Sequence, residues 1–155
     1  MASAVLLGAA LSASYAFLIN PTSLLYRSYL CWRHAVSSVN CLSSAPYDFV
    51  RDIEGVRYEG NTGDLIDINV LYFGAFEKNV LFFLRDAMRS IYSNGGVFVD
   101  IGANTGQHSL YMSRYASEVH AFEPWEPVLK RFRHMVAVNG RRNIVIHPVG
   151  LGHER

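Results

Sequence analysis

Residues 97–107 read V-F-V-D-I-G-A-N-T-G-Q, and this stretch decides the fold predicted for the rest of the chain. Its first five residues are apolar and largely β-branched apart from Asp100, and the turn dipeptide Gly95-Gly96 precedes them. That pattern predicts a fully buried parallel strand with Asp100 as its last side chain. Residues 107–116 have helix-forming character, so the chain is predicted to turn from strand into helix at a glycine-rich loop.

The spacing of the glycines in this loop indicates which ligand it suits. Gly102 and Gly106 form the pattern D-x-G-x-x-x-G, which departs from the G-x-G-x-x-G fingerprint of dinucleotide-binding turns. Residues 97–111 contain no Lys or Arg, so the loop offers no cationic side chain to a phosphate. An acidic strand end beside an uncharged loop suits a partly cationic ligand. S-adenosylmethionine, which carries a sulfonium and an amino group, is such a ligand.

A second strand is predicted over residues 118–123, E-V-H-A-F-E, and Pro124 stops it directly after Glu123. Glu123 follows the first strand by about 20 residues, where the acidic residue of a nucleotide-binding sheet contacts the ribose. A carboxylate at this place can accept hydrogen bonds from both hydroxyls of an adenosine ribose. Asp100 and Glu123 are therefore predicted to face one nucleoside that lies over the glycine loop.

The sequence resembles the FkbM-type family of class I S-adenosylmethionine-dependent methyltransferases in three segments. They are V-D-I-G-A-N-T-G-Q-H-S-L, A-F-E-P and a later N-G. The resemblance covers residues 67–150. It implies a truncated α/β, Rossmann-like class I methyltransferase sheet and S-adenosylmethionine as the cofactor. It also implies that the following residues contact the cofactor: Asp100, Gly102, Asn104, Gly106 and Glu123.

Residues 74–77, G-A-F-E, resemble the G-x-Y-E element of the same family, with Phe76 at the position where Tyr is common. The resemblance implies that Glu77 also faces the cofactor pocket. His134 stands where the family often has Asn, so the resemblance assigns it no role. The resemblance places substrate and catalytic residues in a second half of the fold that this sequence does not supply, so the catalytic residues stay unknown.

The sequence is consistent with three functions. The first is transfer of a methyl group to an oxygen of a small molecule or saccharide. The second is a fragment or reduced relative that binds cofactor weakly or not at all, without turnover, because a complete sheet of this class has more strands. The third is an NAD-dependent oxidoreductase, which shares the strand-end carboxylate but requires the G-x-G-x-x-G turn that is missing here.

Length and composition limit the domain count and the partners. The chain has 155 residues, half of them apolar, which suits one domain with a sizeable core. A formal net charge of +1 and the lack of a nucleic-acid-reading motif give no case for DNA or RNA. Cys31 and Cys41 have no metal-ligand spacing and the six histidines are scattered, so no metal site is predicted.

The N-terminal segment suggests a membrane anchor. Residues 1–26 contain no charged side chain, and residues 2–19 are almost entirely apolar. Such a stretch can cross a hydrocarbon core of about 30 Å as a helix, and the basic residues that follow favour a domain facing the cytoplasm. The alternatives are a cleaved signal peptide, although the usual basic start is absent, an apolar helix packed on a cytoplasmic domain, and a disordered leader.

The remaining predictions concern domain boundaries and elements. Residues 27–46 are predicted to form a helix and a linker, and residues 47–155 the partial cofactor-binding domain. That domain is predicted to begin with a β-hairpin, whose strands lie at residues 49–58 and 65–70. A third parallel strand is predicted at residues 143–149.

Two amphipathic helices are predicted to cover the sheet. The second spans residues 125–138 and ends at Asn139-Gly140, with these residues inward: Val128, Leu129, Phe132 and Val136. The first spans residues 76–92, with this apolar stripe inward: Phe76, Val80, Leu84, Met88 and Ile91.

Overall fold

The computed structural model describes residues 45–92 and 95–153. The predictions for the apolar segment at residues 2–19, and for the helix and linker at residues 27–46 except their last two residues, lie outside the described residues. Within the described part of the chain, no helix is long and apolar enough to cross a membrane. In chain order, the elements are β1 (Asp48–Asp52), β2 (Arg57–Asn61), α1 (Leu65–Phe73), α2 (Lys78–Ile91), β3 (Val97–Ile101), α3 (Gln107–Met112), β4 (Glu118–Phe122), α4 (Glu126–Val138) and β5 (Ile144–His147).

An antiparallel hairpin of β1 and β2 opens the domain, and Asp48 at the start of β1 opposes Asn61 at the end of β2. The turn between the strands is closed by two backbone hydrogen bonds of 2.8 and 3.1 Å that Ile53 and Val56 exchange. The predicted hairpin is therefore present, but both strands lie within residues 48–61.

The prediction of a hairpin strand at residues 65–70 is wrong, because these residues begin α1. Asp64 precedes this helix in an extended conformation, and its side chain accepts hydrogen bonds from the N–H groups of Ile66 and Asp67. A carboxylate that satisfies free N–H groups at a helix start stabilises the helix by about 1 kcal/mol. This local cap outweighs the strand preference of the apolar residues that follow.

β3, β4 and β5 form a parallel sheet in that order, as the sequence predicts. Its register places Asp100 opposite Ala121 and Ala121 opposite Ile146. One face, which includes Ala121, packs into the core, whereas Val99 and Ile101 on the other face are 51% and 64% exposed. The prediction of a fully buried strand at residues 97–101 is wrong, because β3 is an edge strand and only one face is covered in the described part of the chain.

The two amphipathic helices form close to the predicted positions, but the buried face of α2 is rotated. Met88 is buried and Leu84 packs against the core, as predicted, but Leu81 is also buried, and Val80 and Ile91, which were predicted to face inward, are exposed. Phe76 lies before the helix, which begins at Lys78, so it cannot belong to the same helical stripe.

The other helices agree with the predictions more closely. Leu129 and Phe132 of α4 are fully buried, as predicted, and Met135 joins them. The helix after the glycine loop is shorter than predicted, because α3 ends at Met112 and turns follow it.

One large hydrophobic cluster joins the hairpin, the helices and the sheet, and a smaller one forms around Leu71 and Tyr72 of α1. Fully buried members come from each part of the fold: Tyr58, Val70, Leu81, Leu110, Val119 and Phe132. The hairpin is therefore packed with the helices and sheet. As a result, side chains of β2 reach the loop that follows β3.

Candidate functional site

A cavity of about 290 Å³ opens beside the carboxyl end of β3. The loop after β3 and the turn between α1 and α2 form its walls. Four of the predicted site residues line it: Glu77, Asp100, Gly102 and Asn104. The carboxyl end of a parallel strand, where the chain turns into a helix, is the usual ligand site of an α/β sheet.

Gly102 exposes its backbone to this cavity. Its φ is +78°, a conformation that glycine adopts without a steric cost, and a Cβ built on it would meet no atom within 4 Å. The loop therefore leaves room for a ligand to lie directly against the main chain. Asn104 also has a positive φ, +51°, and its side-chain oxygen accepts a 2.7 Å hydrogen bond from the Thr105 N–H.

Gly106 has a different role from the other predicted loop residues, since it is absent from the cavity wall. Its φ is +79°, and a Cβ on it would lie 2.0 Å from the ring of Phe132. The missing side chain lets the start of α3 pack directly on α4. Gly106 therefore supports the loop through packing in the core.

Glu123 lies beside the loop rather than in the cavity wall. One carboxylate oxygen accepts a 3.0 Å hydrogen bond from the Asn104 N–H, and the other accepts one of 3.0 Å from the Trp125 N–H. Glu123 directly follows β4, in which Ala121 opposes Asp100, so the alternation of side chains, if continued by one residue, predicts Glu123 on the same side of the sheet as Asp100. Each carboxylate oxygen has a second acceptor site left for a ligand hydroxyl.

Asp100 is oriented by a residue that the sequence analysis missed. Its Oδ2 accepts a 2.6 Å hydrogen bond from the hydroxyl of Ser109, which is fully buried in α3. Sequence reasoning could assign this role to a serine in the first turn after a glycine loop only if it were known that the helix packs against the strand. This bond fixes the carboxylate at the edge of the cavity.

Gln107 is a second residue that sequence reasoning missed. Its side-chain oxygen accepts a 2.7 Å hydrogen bond from the Phe76 N–H, and its side-chain N–H donates one of 2.9 Å to the Phe76 carbonyl. This amide pairing holds the turn after α1 against the start of α3. Glu77 thereby lies at the cavity wall, with its Oε2 3.7 Å from Nε2 of His108.

A buried polar network lies behind the loop. Asp67 has no exposed surface, and its carboxylate accepts hydrogen bonds of 2.7 Å from each of the Tyr58 hydroxyl, the Asn61 N–H and the Arg131 guanidinium. The Tyr58 hydroxyl also lies 3.2 Å from the Thr105 hydroxyl. Burial and the neighbouring Asp67 carboxylate raise the pKa of Tyr58, so its hydroxyl stays protonated.

His134, to which the sequence assigned no role, lies outside this cavity. It lines a separate groove of about 520 Å³ between the hairpin and α4, where its Nε2 is 3.0 Å from Oε2 of Glu59. Hydrogen bonds from His134 and Arg57 lower the pKa of Glu59. In residues 45–92 and 95–153, no group of three or more His, Cys, Asp or Glu side chains could hold a metal ion.

Comparison with solved structures identifies the class of fold. A SAM-dependent methyltransferase from Agrobacterium tumefaciens matches with a TM-score of 0.51 and 13% identity, over 65% of this chain and 32% of that one. An rRNA methylase from Streptococcus thermophilus matches with a TM-score of 0.41 and 17% identity, over 45% and 39% of the two chains. A SAM-bound amino pentose methyltransferase from Micromonospora echinaspora matches with a TM-score of 0.37 and 19% identity, over 44% and 27%.

The Agrobacterium protein is a SAM-dependent methyltransferase, and at the level of the fold this chain resembles part of it. This chain spans 39% or less of the length of each of the three neighbours described above. No protein-family model matches the sequence, and no curated protein matches it.

Proposed function

We propose that this chain is the cofactor-binding part of a class I S-adenosylmethionine-dependent methyltransferase, with a partial Rossmann-like sheet. The observation that carries the proposal is the cavity at the end of β3, where Asp100, Gly102 and Asn104 meet. The Glu123 carboxylate lies beside it at the end of the neighbouring strand. The fold shared with the Agrobacterium methyltransferase supports the same cofactor.

The residues present suit this cofactor. The open space at Gly102 admits a ligand against the main chain, and the carboxylates of Asp100 and Glu77 suit its cationic amino group and sulfonium. Glu123 has acceptor sites left for ribose hydroxyls. When bound, S-adenosylmethionine supplies an already activated methyl group. The chain therefore has chiefly to bind and align it, because alignment alone contributes much of the rate of such a transfer.

We further propose membership of the FkbM-type family and transfer of the methyl group to an oxygen of a small molecule or saccharide. The support is the pairing of D-I-G-A-N-T-G with A-F-E-P, together with the G-A-F-E turn that places Glu77 at the cavity. A neutral hydroxyl acceptor requires a general base. No residue of the described chain is assigned that role.

Calorimetric titration of the full chain with S-adenosylhomocysteine tests the cofactor proposal. Wild-type protein is expected to bind, and Asp100→Asn is expected to weaken binding about tenfold or more, because it removes a charged acceptor at the cavity. Asp86→Asn is the matched control, since Asp86 is an exposed acidic residue of α2 that does not line the cavity. A folded wild-type protein that fails to bind the ligand contradicts the proposal.

A chain that binds cofactor without turnover is a second candidate. The exposed side chains of β3 favour it, because they leave one face of the strand uncovered in the described part of the chain. Sequencing of the DNA beyond codon 155 distinguishes this candidate from the active methyltransferase, because an uninterrupted reading frame argues against a chain without turnover.

Fluorescence titration with NADH distinguishes both of these candidates from a nicotinamide-dependent enzyme, for which the glycine spacing of the loop is unsuitable.

We also propose, from the sequence, that residues 2–19 anchor the protein in a membrane with the domain at residues 47–155 facing the cytoplasm. The support is the run of uncharged, apolar residues and the basic residues that follow it. The full chain is expected to stay with the membrane pellet in carbonate, and the domain to resist a membrane-impermeant reagent applied to intact cells. Release into the soluble fraction contradicts the anchor.

A further inference from the structure

The loop that forms the cavity is held from behind by a residue of the hairpin. Thr105 belongs to the loop but is only 4% exposed, and its hydroxyl lies 3.2 Å from the hydroxyl of Tyr58 in β2. The Tyr58 hydroxyl donates its hydrogen to Asp67 over 2.7 Å. It must therefore accept the hydrogen of Thr105, which fixes the direction of both bonds.

Tyr58 is itself held rigidly. Asp67, which accepts the Tyr58 hydrogen bond, has no exposed surface and also accepts from the Arg131 guanidinium and the Asn61 N–H, each at 2.7 Å. Three parts of the fold, β2, α1 and α4, thus meet at one carboxylate. The Tyr58 hydroxyl offers Thr105 a fixed acceptor, because its own position is set by this network.

The part of the loop next to Thr105 needs such support. Asn104 has a φ of +51°, a left-handed conformation that Asn adopts more readily than most residues but that its surroundings must still maintain. Its own N–H is held by Glu123, and its side-chain oxygen accepts the Thr105 N–H. The Tyr58 contact fixes the side chain of Thr105. Because the Thr105 N–H donates to the Asn104 side chain, a fixed Thr105 also holds Asn104.

We propose that Tyr58 is a positioning residue for the cofactor site: its hydroxyl holds Thr105, and through it Asn104, in the conformation that receives the cofactor. Tyr58 does not line the cavity, so it acts only through the loop. This inference rests on the proposed cofactor-binding function. It assigns a binding role to a buried hairpin residue 47 positions before Thr105 in sequence.

Two variants remove the contact from opposite sides. Tyr58→Phe keeps the buried ring and loses the hydroxyl, and Thr105→Val keeps the branched shape and loses the other hydroxyl. Each is expected to raise the dissociation constant of S-adenosylhomocysteine about fivefold, the usual effect of one hydrogen bond. Thr105→Ser retains the hydroxyl and is expected to lose less affinity than Thr105→Val.

Tyr111→Phe is the matched control. Tyr111 is also fully buried, and its hydroxyl donates to a carboxylate, Glu54, at 2.8 Å, but it does not line the cavity. This variant is expected to change thermal stability without changing the dissociation constant. If Tyr58→Phe likewise lowers the melting temperature but leaves the dissociation constant within twofold of wild type, the hydroxyl is structural and the inference fails.

Amide hydrogen exchange of the full chain without ligand gives an independent readout. Tyr58→Phe and Thr105→Val are expected to speed exchange in the peptide covering residues 102–107, and Tyr111→Phe is not. If wild-type protein does not bind S-adenosylhomocysteine, the proposed function fails, while exchange still shows whether Tyr58 holds the loop. Unchanged exchange in both variants overturns the positioning role whatever the ligand does.

Discussion

Gly106→Ala is expected to destabilise the domain by about 2–5 kcal/mol, among the largest effects of any single substitution in the described chain. Two costs add. At a φ of +79° an alanine pays the penalty of the left-handed region, and its Cβ would lie 2.0 Å from the ring of Phe132. Phe132 is fully buried in α4, so its ring can move away from an added methyl group only by disturbing the core around it.

Urea denaturation measures this loss, and Gly140→Ala separates its two causes. Gly140 has a φ of +60°, but a Cβ there would meet no atom within 4 Å, so only the backbone cost applies. Gly140→Ala is therefore expected to lose about 1–2 kcal/mol. Equal losses for the two variants would mean that close packing on Phe132 does not determine the choice of glycine at position 106.

Asp67→Ala is expected to cost about 3–5 kcal/mol, a large fraction of the roughly 5–15 kcal/mol by which an ordinary domain is stable. The substitution leaves three donors without their acceptor: the Tyr58 hydroxyl, the Asn61 N–H and the Arg131 guanidinium. Arg131 is only partly buried, with a side chain that is 28% exposed, and it keeps its hydrogen bond to the Glu59 carbonyl, so its lost ion pair adds to the cost of the two unpaired neutral donors. Thermal or urea denaturation measures the effect.

Two further variants test this explanation. Asp86→Ala, which removes the exposed partner of Arg85 in α2, is expected to change stability by less than about 1 kcal/mol. The double variant Asp67→Ala with Arg131→Met is expected to be more stable than the sum of the single losses predicts, because the unpaired cation is gone. Additive losses would show that Asp67 and Arg131 do not depend on each other.

The local pattern of the sequence was sufficient for the part of the fold that holds the candidate site. Apolar runs and glycines predicted β3, α3 and β4 in order, and the structure confirms that the two strands are parallel neighbours. Period-two alternation and this register put Asp100 and Glu123 on one side of the sheet. These features depend on residues close in sequence, so the sequence alone carries them.

Other predictions failed where a nearby contact competed with the pattern. Residues 65–70 look like a strand, but the Asp64 side chain caps them as a helix. In α2, Met88 faces the core as predicted, but Leu81 is also buried and Val80 is exposed. Which of the apolar residues of a helix are buried depends on the elements that pack against it, and the sequence pattern does not contain that information.

The sequence by itself determined the strand, the glycine turn and the two strand-end carboxylates. Only the tertiary structure decided what supports them. Phe132 lies against Gly106, and Asp67 joins Tyr58 to Arg131, a residue 64 positions away. No periodicity relates such distant residues. Their contact arises because the hairpin and helices share one core with the sheet, and burial then requires each polar group to find a partner.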